Sequence, residues 1–296
     1  MLQYRNFETS CGLLVDGPQQ GAWNMAVDEA LLEAAAERGE ACWRFYAWSA
    51  PTLSLGYFQE YVDRQQHPAS RTCRAVRRLT GGGAILHDAD LTYSLVLPSR
   101  HPLAARRDCL YAAVHGCLVQ ALGELGITAG MWTCASEEDK PQSDGNRKSQ
   151  IANRKSEISN LESQISNPKS QIGPYRAQPI AFLCFQRRAA GDVLLGPDKI
   201  AGSAQRRRRG AILQHGSLLV RRSAAAPELP GLEDLAGRSV PRQTIQEVWL
   251  HRLGVQLGLR WAEGSLSQRD CRRAEVLVRT RYAQAPWIES RSPGGA

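Results

Sequence analysis

Two apolar runs, AGDVLLGPDKIAGSAQ (190–205) and AILQHGSLLV (211–220), flank four consecutive arginines at 206–209. They read as neighbouring antiparallel strands, because so short a connection cannot carry the crossover that parallel strands need. CWRFYAW (42–48) and TLSLGYF (52–58) read as two more strands parted at Pro51, and LTYSLVLP (91–98) as another. Helical stripes lie between and after them. In 21–38, Val27, Ala30, Leu31 and Ala34 share one face, and Gly39 is a natural stop. A second stripe runs through Leu110, Val114, Leu118, Ala121 and Leu125 until Gly126, and further helices are predicted near 244–257 and 267–282. Strands thus arrive in runs rather than in strict alternation with helices. The pattern predicts an α+β fold of mixed, largely antiparallel sheets flanked by helices, not a doubly wound parallel sheet.

One segment stands apart. Residues 146–172 form an imperfect seven-residue repeat, NRKSQIA, NRKSEIS, NLESQIS, NPKSQI, with one isoleucine per unit. A coiled coil needs two apolar positions per heptad, so 137–176 reads as a low-complexity, disordered insertion.

Composition narrows the function classes. The eight cysteines are scattered with no CxxC pair, which argues against a zinc site or a disulfide scaffold and for reduced thiols in a cytoplasmic protein. Cys109 and Cys117, on or beside the second helical stripe, read as core. No basic-then-apolar leader opens the chain and no apolar run is long enough to span a bilayer, so no membrane partner is expected. The net charge of +8 suits nucleic acid or an acidic protein. The arginine run has no interleaved aromatics and no nucleic-acid module accompanies it, so nucleic acid is not expected.

Two stretches carry candidate chemistry. In RRLTGGGAILHD (77–88), Gly81, Gly82, Gly83 and Ala84 let a ligand approach bare backbone, beside the charges of Arg77 and Arg78 and before His87. The loop is neither a P-loop nor a dinucleotide fingerprint. In 184–217, Cys184 precedes a polar Gln-Arg-Arg stretch, and Lys199 is followed by an apparent small-residue turn of Ala201, Gly202, Ser203 and Ala204. A thiol beside an ammonium makes a reactive thiolate, the raw material of thioester chemistry. His215, a lone histidine, reads as structural.

GAWNMAVDEALLEA, PTLSLGYFQ, RRLTGGGAILHDADLTYS, DKIAGSAQRRRRGAILQHGS and the terminal RYAQAPW resemble, in that order, the lipoate/biotin protein ligase superfamily. The resemblance covers about residues 12–290 apart from the insertion. It implies a single catalytic domain over 1–296 with a helical C-terminal part at 240–296. LTYS, the Cys-Phe dipeptide, GSAQRR and LQHGS most resemble the cysteine-dependent, LipM-type octanoyltransferases, whose nucleophilic cysteine stands fifteen positions before the lysine. Here 199 − 184 is also fifteen. The chain departs from that group in carrying QRRAAGDV after Cys184-Phe185, and GGG where GGR is common.

The resemblance implies a two-step acyl transfer without ATP or metal. Cys184, activated by Lys199, takes octanoyl from acyl carrier protein and passes it to a lysine of a lipoyl domain, such as glycine cleavage H protein or the E2 subunit of a 2-oxoacid dehydrogenase. Backbone donors around Gly202, Ser203 and Ala204 would hold the oxyanion. The acyl chain would lie along the loop of Gly81 to Ala84, and Arg77, Arg78 and the arginines at 206–209 would steer acidic partners. The alternative within the superfamily is ATP- and magnesium-dependent ligation of lipoate, with Cys184 dispensable. The alternative from another class is a non-catalytic or nucleic-acid-binding relative.

Overall fold

The computed structural model describes residues 8–133 and 181–292. The predicted repeat at 146–172 lies outside these residues. The chain opens with β1 (Thr9–Gln19), α1 (Gly21–Glu37), β2 (Ala41–Trp48) and β3 (Thr52–Leu55). There follow β4 (Arg74–Arg77), β5 (Ile85–His87), β6 (Asp90–Leu97), α2 (Arg107–Glu124) and β7 (Gly130–Met131). After the insertion come β8 (Val193–Leu195), β9 (Asp198–Arg208), β10 (Ala211–Leu219) and α3 (Leu232–Ala236). The described chain closes with α4 (Arg242–Leu257), β11 (Leu259–Glu263), α5 (Gln268–Leu277) and α6 (Ala285–Ser290).

The fold is α+β. A main sheet has the order β11-β1-β2-β6-β10-β9-β8-β7, and a small sheet the order β4-β3-β5. Among the described strands only β1–β2, β1–β11 and β3–β4 pair in parallel. The expected hairpin is β9–β10, in register from Ala211↔Arg208 to Leu218↔Ala201. Its two-residue turn places Arg209 at φ 46° and Gly210 at φ 82°. Two successive positive φ values match the twist of a hairpin, and the arginine bears the conformational cost.

Two differences from the sequence reading have local causes. β1 went unseen because Gly12, Gly17 and Pro18 interrupt it, and the strand does bulge between Val15 and Pro18. The strand expected over 52–58 stops at Leu55, where a side chain on Gly56 would run into the backbone of Gly82. The chain turns there and leaves Phe58 72% exposed.

The core has two halves, one on each face of the main sheet. On one face α2 and α4 cover Leu95, Leu97, Ile200 and Ile212. Fully buried Trp43 stacks on Tyr93 at 4.9 Å and meets Trp249 edge-on at 5.3 Å. On the other face, α1 and the C-terminal helices bury Val27, Leu31, Val96, Ala274 and Trp287. Cys117 is core as expected, whereas Cys109 is only half-buried. Among the described residues no helix is long and apolar enough to cross a membrane.

Trp43 ties β2, β6 and α4 together. Trp43→Ala is expected to cost about 3–5 kcal/mol of stability, read from the midpoint shift of urea unfolding. A loss below about 1 kcal/mol would mean that the aromatic cluster does not anchor this half of the core.

Candidate active site

Cys184 opens a single 3-10 turn, Cys184–Gln186, and its backbone is stitched to the glycine loop. Ala84 N–H donates to Phe182 O at 3.0 Å, and Cys184 N–H donates to Ala84 O at 2.7 Å. Gly83 must be bare, because a Cβ there would lie 3.0 Å from Cys184 Cα and collide with the Arg187 guanidinium. Gln59, the last residue of the PTLSLGYFQ motif, donates from Nε2 to Phe182 O at 3.1 Å. The glycine loop is therefore the seat of the cysteine.

Lys199 comes from β9. Its register against β8 slips between Val193 and Leu194, leaving Ile200 as an extra residue. Beyond that bulge Gly202 faces the same way as Lys199, and a Cβ on Gly202 would fall 2.7 Å from Lys199 Cε and 2.9 Å from Nζ. Lys199 Nζ lies 3.6 Å from Cys184 Sγ, 3.3 Å from Cys184 O and 2.7 Å from Asp192 Oδ2. Both Lys199 and Asp192 are buried, while Cys184 is partly open to solvent. The structure thus brings together the two residues singled out from sequence and adds a third.

Asp192 was not legible as a site residue. It precedes a strand in the stretch where the chain departs from its relatives' pattern. Its partners are tertiary: Tyr111 Oη donates to Oδ1 at 2.7 Å and Ala189 N–H to Oδ2 at 2.7 Å. Tyr111 and His115 lie one turn apart on α2 and grip consecutive residues of one loop. His115 Nδ1 is 2.6 Å from Gly191 O, an acceptor only, so Nδ1 carries the proton. Nε2 then accepts from Ser203 Oγ at 2.5 Å, and Tyr93 Oη also lies 2.5 Å from that oxygen.

Other expected roles change. Arg77 is fully buried and donates to the carbonyls of Gly56, Gln59 and Ile288 at 2.7–3.0 Å. It locks the C-terminal helix to the loop and has no surface from which to steer a partner. Arg78 is also buried and donates to Ser54 O, Gly81 O and Gly83 O at 2.7–2.8 Å, shaping the glycine loop from within. Burial pulls its guanidinium down to about 10.

The segment of Ala201, Gly202, Ser203 and Ala204 is not a turn but the middle of β9. Ser203 N–H points outward to Tyr111 Oη at 3.2 Å. By strand alternation Gly202 and Ala204 direct theirs into the ladder with β10. None of the three has an N–H left for an oxyanion. A space of about 20 Å³ behind Arg78 and His87, lined also by Ile85 and Ala204, has room for one water.

His87 is buried on Trp48 at 4.0 Å, with Nδ1 2.7 Å from Asp90 Oδ2 and Nε2 2.9 Å from Ser54 Oγ. Burial lowers its pKa. His215 bridges Asp28 Oδ2 at 2.8 Å and Thr80 Oγ1 at 2.6 Å, and it also lines the small space behind Arg78.

Residues 20–226 match the model of the lipoyl protein ligase A/B catalytic domain family. The chain belongs to this family. It is 31% identical to octanoyltransferase LipM of Symbiobacterium thermophilum, over 95% of this chain and 98% of the relative. It is 30% identical to octanoyltransferase LipM of Kyrpidia tusciae, over 93% and 97%. Likeness along nearly the whole length to these proteins places it among acyltransferase enzymes. Its fold is that of a putative lipoate protein ligase, Ta0514, from T. acidophilum with bound lipoic acid, at TM-score 0.67 and 20% identity over 96% of this chain and 100% of that one. A lipoate-protein ligase A bound with ATP superposes at TM-score 0.65 and 19% identity, over 96% and 99%.

Burial pushes the His115 imidazole down to about 4. The unfolded chain takes up that proton near pH 6.5, so stability is complete above that pH and drains as pH falls towards 4. From pH 7.5 to 5 the loss from this group is about 2 kcal/mol. His87 and His101 are lowered by burial as well, so the measurement is the difference between wild type and His115→Asn in urea unfolding at the two pH values. The variant should show a flatter pH dependence, and equal slopes would contradict the neutral, buried imidazole.

Proposed function

We propose that the protein is an octanoyltransferase of lipoate cofactor assembly, working through a Cys184 thioester without ATP or metal. One observation carries the reading: a buried lysine, oriented by a buried carboxylate, stands 3.6 Å from the sulfur of a partly open cysteine. Such a pair is arranged for nucleophilic acyl transfer.

In the first step the Cys184 thiolate attacks the carbonyl carbon of octanoyl-acyl carrier protein. A new C–S bond forms, the donor C–S bond breaks, and the carrier thiolate leaves and takes up a proton. In the second step the ε-amine of a lipoyl-domain lysine attacks the same carbon. The C–N bond forms, the amine gives up a proton, and Cys184 leaves as the thiolate paired again with Lys199. A thioester is exchanged for an amide, so the sequence runs downhill. H protein of glycine cleavage and E2 subunits are the acceptors of this reading. Lys199 Nζ is the cation that faces the sulfur in both steps.

Steering of acidic partners falls to Arg206, Arg207 and Arg209, which are exposed, since Arg77 and Arg78 are enclosed. The acylation rate with carrier protein is expected to fall several-fold between low and high salt. A flat rate would remove the steering role.

Incubation with octanoyl-acyl carrier protein followed by intact mass measurement tests the reading. Wild type should gain one octanoyl group that hydroxylamine removes, and Cys184→Ser should gain none. ATP-dependent acylation of a lipoyl domain by Cys184→Ser would show a ligase instead, and activity in neither assay would point to a non-catalytic relative.

A further inference from the structure

Two clefts follow β9 away from Cys184. The inner one, about 470 Å³, is lined by Tyr111, Gly191 and Ser203; the outer one, about 420 Å³, by Phe58, Gly81, Arg206 and Arg207. Arg107 and Gln205 line both, so the two form one groove. Its inner end lies at Gly191, next to the carboxylate of Asp192 that holds Lys199. Along β9 the lining runs from Ser203 to Arg207, about 13 Å.

The arginine run divides at this groove. Arg208 pairs with Glu29 at 3.3 Å and Glu33 at 3.0 Å, and Arg209 with Glu37 at 3.8 Å. These carboxylates all belong to α1. Arg206 instead lies over the Tyr57 ring at 5.6 Å, and Arg107 touches the Gln205 side chain at 3.4 Å. Among the described residues none of Arg107, Arg206 and Arg207 has a carboxylate within ion-pair distance. Arg107 also opens the 18-residue helix α2, whose peptide dipoles favour an anion there. Three cations without an ion-pair partner thus gather at one end of a groove whose other end lies at Gly191, with Asp108 also in its lining.

The wall between the ends is a strand edge. β8 pairs with β9 only as far as Ala201. Ser203 turns its N–H outward, so by alternation Gln205 and Arg207 present theirs on the same side. Among the described residues no strand pairs with that edge. It offers donors and acceptors to an extended chain containing amides.

We propose that this groove is the channel for the donor's carrier arm. An acyl-pantetheine arm lies along the open edge of β9, with its thioester at Cys184 and its terminal phosphate among Arg107, Arg206 and Arg207. The assignment rests on the transferase reading above. It also accounts for the split arginine run: two members brace the hairpin on α1, and two read the phosphate.

The test compares the single-turnover acylation efficiency of Cys184 by octanoyl-pantetheine and by octanoyl-4′-phosphopantetheine, followed by intact mass. Wild type should prefer the phosphorylated arm at least tenfold. Arg206→Gln/Arg207→Gln should reduce that preference to about twofold or less. Arg272→Gln/Arg279→Gln, which removes the same charge from two exposed positions on and just after α5, should keep it. Octanoyl-coenzyme A and octanoyl-acyl carrier protein share the phosphate-bearing arm and distinguish its source, and the 206/207 variant should lose at least tenfold on each. Equal wild-type efficiency with the two small arms overturns the channel, as does a loss confined to the carrier protein, where the arginines would be reading a protein surface. No acyl-enzyme from any donor overturns the transferase reading itself, and the channel with it.

Discussion

The ammonium of Lys199 is the point on which the site depends. It is buried, so it needs a fixed counter-charge, and Asp192 supplies one at 2.7 Å. That pairing leaves the ammonium facing Cys184 Sγ and Cys184 O. Everything around it serves to hold the arrangement: the bulge at Ile200, the bare Gly202, and the hydroxyl of Tyr111 on the other oxygen of Asp192. A side chain at position 202 would collide with the lysine. The lysine is therefore positioned from three directions before any substrate arrives, the condition under which a fixed charge stabilises a developing one without reorganisation.

The scaffold repeats this logic on its other face. Helix α1 buries Asp28, Glu29 and Glu33, an unusual set for a core helix. Each has its partners: Arg44 and the His215 ring on Asp28, Arg281 and Arg208 on Glu29, Arg273 and Arg208 on Glu33. These pairs fasten β2, the β9–β10 hairpin and the C-terminal helices to one rod. Stripping a carboxylate of both its partners would leave a buried charge unpaired, which costs far more than the intact pairs contribute. The hairpin that carries Lys199 is thus held at its far end by α1 and at its near end by Asp192.

Much of the fold was legible because it follows from periodicity. The hairpin, α1, α2, α4 and the central strand β6 all have clear apolar repeats. What escaped was β1, whose glycines and proline mask a strand that only its neighbours complete, and the short strands β4, β7 and β11. In the site, Cys184 and Lys199 were legible from their residue types and spacing. Asp192 and Tyr111 were not, since an acid before a strand and a tyrosine on a helix carry no sign of what they meet. Arg77 and Arg78 misled in the opposite sense. Arginine ordinarily reads as surface charge, yet both are folded inward onto backbone carbonyls, Arg78 onto those of the glycine loop and Arg77 onto those of Gly56, Gln59 and the C-terminal helix.

The most direct measurement of the central claim is the rate of Cys184 alkylation by iodoacetamide, followed by peptide mass spectrometry with Cys73 and Cys271 as internal standards. Lys199→Met/Asp192→Asn removes both buried charges together, so no lone charge is left to unfold the site. The account predicts that Cys184 in this variant reacts at least tenfold more slowly than in wild type, while Cys73 and Cys271 are unchanged. Equal rates at Cys184 in the two proteins would contradict it.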